Sequence, residues 1–191
     1  MNGIAAVMRL AKHGISVRPV TPADEAFCRY LSDTNLSAAF AAMGLREPML
    51  ATLLAQQFRA QQIGYLRSFP NAENVIIEAD GNLVGRLVVA SEPCEGGDVA
   101  LSALGQSVAA DRVLPSRALR LVDIVIMPEA RGRGIGTKVI EALEVAARVG
   151  GAQRLTLSVQ ETNVPARRLY DRLGFIDLGG EGLRQMFKPL R

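Results

Sequence analysis

The chain has 191 residues, 49% of them apolar, 21% charged and only 5% aromatic, with no Trp and a formal net charge of +3. That suits one globular domain with an aliphatic core, argues against base stacking as the main activity, and fits an anionic small ligand better than a nucleic acid. A single histidine, His13, and two cysteines, Cys28 and Cys94, outside metal-ligand spacing argue against a zinc site and a Ser-His-Asp triad.

Residues 1–14 hold a short apolar run broken by Arg9, too short for a membrane span and without a clean signal-peptide core. They are expected to be a loose extension or a short docking segment, outside the core of a cytoplasmic protein. "ISVRPVT" (15–21) alternates and is β-branched, so it predicts a first strand. Pro22 and the acids after it open a helix as the helix dipole prefers. Leu50, Leu53, Leu54, Gln57 and Phe58 mark a second helix over about 48–69. Residues 73–91 read as strand, Asp80-Gly81 turn, strand. The long connection 92–117 is open between a solvent-exposed insertion and a substrate-facing loop.

"ALRLVDIVIMP" (118–128) is a near-continuous apolar strand of the kind buried on both faces. A helix with the stripe Val139, Ile140, Leu143, Ala146 and Ala147 is expected over about 137–149, and "QRLTLSVQ" (153–160) as the next strand. That order implies a right-handed crossover between parallel neighbours. A helix over 164–175 is closed by Gly174, and the tail "GLRQMFKPLR" supplies a last strand.

The join at "MPEARGRGIGTK" (127–138) concentrates Gly132, Gly134 and Gly136 between Arg131, Arg133 and Thr137. Unpaired N–H groups at a helix start and the helix dipole favour phosphate there, and glycines let the ligand approach the backbone. A Walker A loop needs Gly just before Lys-Ser/Thr, where Thr137 stands. A dinucleotide fingerprint needs a different third glycine and an acid ending the next strand, which here ends in Gln160.

The pattern Arg131-x-x-Gly134-x-Gly136 instead resembles the pyrophosphate loop of the GNAT acyl-CoA N-acyltransferases. Downstream, Asn163-x-x-Ala166-x-x-Leu169-Tyr170-x-x-x-Gly174-Phe175 resembles that family's second feature. The resemblance is sharp over about 118–178. It implies a mixed, mostly antiparallel α/β sheet with one splayed parallel pair and helices on both faces, as a single domain over 15–191. It implies acetyl-CoA as acyl donor, with Arg131, Gly132, Arg133, Gly134, Ile135, Gly136 and Thr137 on its pyrophosphate. Its pantetheine arm would run along Ile124, Val125, Ile126 and Met127, and a backbone N–H near Ile126 would polarise the thioester carbonyl.

By the same resemblance, Asn163 and Arg167 contribute to cofactor binding and Tyr170 protonates the leaving thiolate. Asn163 is equally sensible as a helix N-cap, and Tyr170 as core packing. Asp123 interrupts an apolar strand, where an unpaired carboxylate is costly. It is open between a general base and an ion pair with Arg120 or Arg86. The expected reaction is direct attack by a primary amine in a ternary complex, with no metal. The acceptor is expected to be a small molecule rather than a protein, with no nucleic acid or membrane partner, in a monomer or homodimer. A non-catalytic acyl-CoA sensor domain is the alternative.

Overall fold

The computed structural model describes residues 3–8, 14–42, 44, 46–92 and 117–190. The expected insertion over 92–117 lies, apart from its two ends, outside the described residues. In chain order the elements are α1 (Ile4–Val7), β1 (Ile15–Pro19), a 3-10 turn (Pro22–Asp24), α2 (Glu25–Ala42), α3 (Met49–Ser68), β2 (Glu73–Ala79) and β3 (Asn82–Glu92). Then come β4 (Ala118–Ile126), a 3-10 turn (Pro128–Ala130), α4 (Ile135–Val149), β5 (Arg154–Gln160), α5 (Val164–Arg172), β6 (Ile176–Gly179) and β7 (Leu183–Pro189).

The strands form one sheet in the order β1-β2-β3-β4-β5-β7-β6. Every pairing is antiparallel except β4 with β5. This is the mixed sheet with a single parallel pair that the resemblance implies. The tail makes the expected last strand, β7, and a short strand that was not expected, β6, precedes it. Gly179, Gly180 and Gly182 take positive φ there and turn "GLRQMFKPLR" back against β5. Helix α4 also starts two residues earlier than its stripe indicates, because Ile135 is itself buried.

One face of the sheet carries a continuous aliphatic layer. Val75, Ile77, Leu87, Val89, Leu119, Leu121, Leu155 and Leu157 meet Val139, Ile140, Leu143, Ala146 and Ala147 of α4. Burying a side chain such as Leu143 contributes about 1.5–3 kcal/mol. Ile4 and Met8 join this layer, so docking, not loose extension, describes the segment around α1. Cys28, Leu31 and Leu54 of α2 and α3 are buried on the other side of the sheet, outside that layer.

A bulge decides which face β4 shows to each side. Val88 pairs with Asp123 but Val89 pairs with Leu121, leaving Val122 as the extra residue. In an unbroken strand Leu119, Leu121 and Asp123 would share a face. The bulge reverses the alternation, so Asp123 leaves the aliphatic layer and lies opposite Val88, beside Arg86.

Candidate active site

The site begins where β4 and β5 part. Their parallel pairing runs from Ala118 with Arg154 to Leu121 with Leu157 and goes no further. Beyond it a cleft of about 660 Å³ opens, lined by β4 from Leu121 to Ile126 and by Ser158, Val159 and Gln160 of β5. Asn163, Ala166, Leu169 and Tyr170 of α5 close one side, and Asn35 reaches the cleft from α2.

The backbone of β4 faces this gap in a defined way. Met127 N–H donates to Val84 O at 2.9 Å, so Met127 and Val125 turn their amides toward β3. Residues alternate, so Ile124 and Ile126 turn theirs toward the parted β5 side, where a ligand chain could add as a strand. The Ile126 carbonyl is already engaged there, accepting from Arg131 Nε at 2.9 Å.

At the cleft mouth, Gly132 and Gly134 both take φ of 75°, and a Cβ on either would meet open space on the ligand side. Glycine is needed at both for the left-handed turn. Helix α4 has no side-chain cap, and its first backbone bond returns from Lys138 to Gly134. The amides from 132 to 137 find no acceptor among the described residues. Open backbone, free N–H groups and the α4 dipole together fit a pyrophosphate.

Tyr170 is only 6% exposed yet lines the cleft, with its ring 5.6 Å from that of Phe175 at 60°. Burial, and secondarily the charge of Asp123, pushes its phenol up to about 12. It is therefore protonated at neutral pH and able to donate. Asp123 also lines the cleft, and its Oδ2 accepts from Arg86 Nη2 at 2.8 Å. Of the two ion-pair partners the sequence offered, the structure takes Arg86. Arg120 pairs instead with Glu92 at 3.2 Å and donates to Ser158.

Not every expected site residue reaches the cleft wall. Ile124, Val125, Ile126, Arg131, Gly132, Gly134, Ile135, Gly136, Thr137, Asn163, Asp123 and Tyr170 do; Met127, Arg133 and Arg167 do not. Arg133 turns to Asp80 of the β2–β3 hairpin at 3.3 Å, and Arg167 donates to the Glu161 carbonyl at 3.3 Å. Asn163 caps α5, its Oδ1 accepting from Ala166 N–H at 3.3 Å, while also lining the cleft. Sequence reasoning missed Asn35 and Ser158 of the cleft wall, because nothing in their local sequence marks them. Among the described residues, no group of three or more His, Cys, Asp or Glu could hold a metal ion, and no helix is long and apolar enough to cross a membrane.

Known proteins converge on the same reading. The family model described as Acetyltransferase (GNAT) family matches residues 44–175. The 5-NmdU N-acetyltransferase of Pseudomonas phage PaMx11 is 47% identical over 64 residues, 31% of this chain and 44% of that protein. The thialysine N-epsilon-acetyltransferase of Mus musculus is 42% identical over 62 residues, 32% of this chain and 36% of that protein. The chain thus spans less than half the length of these curated relatives. The PaiA N-acetyltransferase of Thermoplasma acidophilum, solved in complex with coenzyme A, superposes at a TM-score of 0.59 and 15% identity, covering 92% of this chain and 98% of that one. An acetyltransferase of Thermus thermophilus does so at 0.56 and 23% identity, covering 92% and 97%. At those identities the likeness is one of fold. With its glycine-rich loop, its parted strands and a family match over more than half its length, the chain belongs to the GNAT acetyltransferase family, whose chemistry is acyl-CoA-dependent N-acyl transfer.

Proposed function

We propose that this protein transfers an acetyl group from acetyl-CoA to a primary amine by direct attack in a ternary complex. The observation that carries this reading is a single cleft with the anion-binding loop at its mouth and the Tyr170 hydroxyl inside, between parted parallel strands. Acetyl-CoA supplies the activated thioester. The amides from 132 to 137 and Arg131 hold its pyrophosphate, and the exposed backbone of Ile124 and Ile126 seats its pantetheine arm. The Ile126 N–H polarises the thioester carbonyl.

The neutral amine attacks that carbonyl; the new C–N bond forms as the C–S bond breaks. Tyr170 gives its proton to the leaving thiolate, and Asp123 takes the amine's proton directly or through water. Most of the acceleration comes from holding the two reactants in line. The acceptor in this reading is a small molecule.

The test has two arms. A hundredfold excess of acetyl-CoA over its Kd should stabilise the fold by about 2.7 kcal/mol, roughly 5–10 °C in Tm for a chain of this size. Gly134→Glu should abolish that shift by setting bulk and negative charge against the phosphates. Incubation with a panel of amines should then release free CoA thiol. No thermal shift sinks the cofactor assignment, and a shift without thiol release across the panel leaves the sensor alternative standing.

A further inference from the structure

The glycine-rich loop carries two charged side chains, Arg131 and Arg133, and the fold puts them to different uses. Arg131 lines the cleft, with its Nε committed to the Ile126 carbonyl. Arg133 stays off the cleft wall, and its Nη2 donates to Asp80 Oδ2 at 3.3 Å. The pair is exposed, 56% at Arg133 and 68% at Asp80, and exposed pairs contribute little to stability. A carboxylate that draws a cation away from an anion site therefore calls for an account other than packing.

The carboxylate is the fixed partner. Asp80 takes a φ of 52° in the turn before Gly81, a conformation that Asp and Asn tolerate better than most side chains. Its backbone N–H donates to the Gly14 carbonyl at 2.8 Å. A Cβ on Gly14 would come within 2.7 Å of Asp80 Oδ1, so that oxygen rests against bare backbone. The other oxygen faces Arg133. The β2–β3 turn thus holds an acid in place, and a long arginine side chain reaches out to it.

We infer that Asp80 is a positioning residue for the donor: it holds Arg133 outside the cleft in the free protein and yields it to a phosphate of acetyl-CoA on binding. A phosphate offers a guanidinium a charge-assisted, two-pronged bond, stronger than one long contact in solvent. Drawing Arg133 off Asp80 subtracts from the affinity for the donor. That weaker grip serves turnover, because free CoA carries the same phosphates as acetyl-CoA and must leave before the next donor enters.

This rests on the acetyl-CoA reading above, and the experiment separates the two. The Kd for CoA is measured by titration calorimetry at about 20 mM salt, where exposed charges are least screened. The proteins are the native chain, Asp80→Asn, Arg133→Ala and the double variant. Asp80→Asn keeps an Asn-Gly turn and removes the charge. It should bind CoA about two- to fivefold more tightly than the native chain, the scale of an exposed ion pair. Arg133→Ala should bind more weakly, and adding Asp80→Asn to it should change nothing, because the two residues act as one unit. A Kd for Asp80→Asn no lower than the native one overturns the inference. So does an equal gain in the Arg133→Ala background, which would make Asp80 a repulsive charge and not a hold on Arg133. Absence of CoA binding by all four proteins would sink the cofactor reading, and this inference with it.

Discussion

Under α1, α4 and α5 the sheet presents Leu87, Val89, Leu119, Leu121, Leu155 and Leu157 as an unbroken aliphatic layer. Under α2 and α3 the same strands present Arg86, Asp123 and Arg120, with Thr156 donating to Glu92 at 2.9 Å and Ser158 to Gln185 at 2.7 Å. The aliphatic side positions α4 and hence the anion-binding loop by close packing, which tolerates little error in volume. The polar side positions hydrogen-bonding groups toward the cleft, which tolerates little error in charge. The two faces come together at the cleft, where β4 and β5 part.

The sharpest way to break that division is Asp123→Leu, which leaves the buried Arg86 guanidinium without its oxygen partner. Breaking a buried pair from one side should cost about 3–5 kcal/mol, read as a fall of roughly 6–20 °C in Tm for a chain of this size; an unchanged melt would show that the pair does not hold the polar side together.

Next in size is Tyr170→Phe, which leaves the ring packed on Phe175 but removes the proton donor. Turnover should fall about 10²–10⁴-fold, the range for a lost general acid, with the acetyl-CoA thermal shift intact. An unchanged kcat would assign Tyr170 to packing alone.

Alkaline pH separates the faces more gently. The unfolded Tyr170 phenol titrates near its ordinary value of 10 and the folded one near 12. Between those values the native state holds a proton the unfolded chain has lost. Stability therefore falls as pH rises from 10 through 12, by on the order of 2–3 kcal/mol for this group. Urea midpoints across that window should drop less steeply in Tyr170→Phe than in the native chain. Smallest of all, Asn163→Ala should cost about 1 kcal/mol as a lost N-cap. If Asn163 also holds the coenzyme, the acetyl-CoA thermal shift shrinks as well, and a pure cap would leave it whole.

The half of the site proposed to hold acetyl-CoA was legible in the chain because its parts are contiguous. Arg131, Gly132, Gly134 and Gly136 act through backbone geometry at one strand–helix join, and Asn163 and Tyr170 share one short helix with periodic spacing. Local sequence dictates φ, capping and helix phase, so those residues announce themselves. The polar side under α2 and α3 carried a weaker signal: Asp123 stood out as a carboxylate in an apolar strand, but its partner was open between Arg120 and Arg86. Tyr65 sits in α3, Arg86 in β3 and Asp123 in β4, and no spacing relates them. Only the sheet order brings β3 against β4, only the Val122 bulge turns Asp123 toward Arg86, and only the packing of α3 lays Tyr65 over the Arg86 guanidinium. Strand register and layer packing are long-range choices, settled by which faces can be buried together. The sequence by itself marked the glycine-rich join as a candidate anion site, because backbone geometry is local, and the tertiary structure alone decided which of two arginines holds Asp123, because strand facing is not.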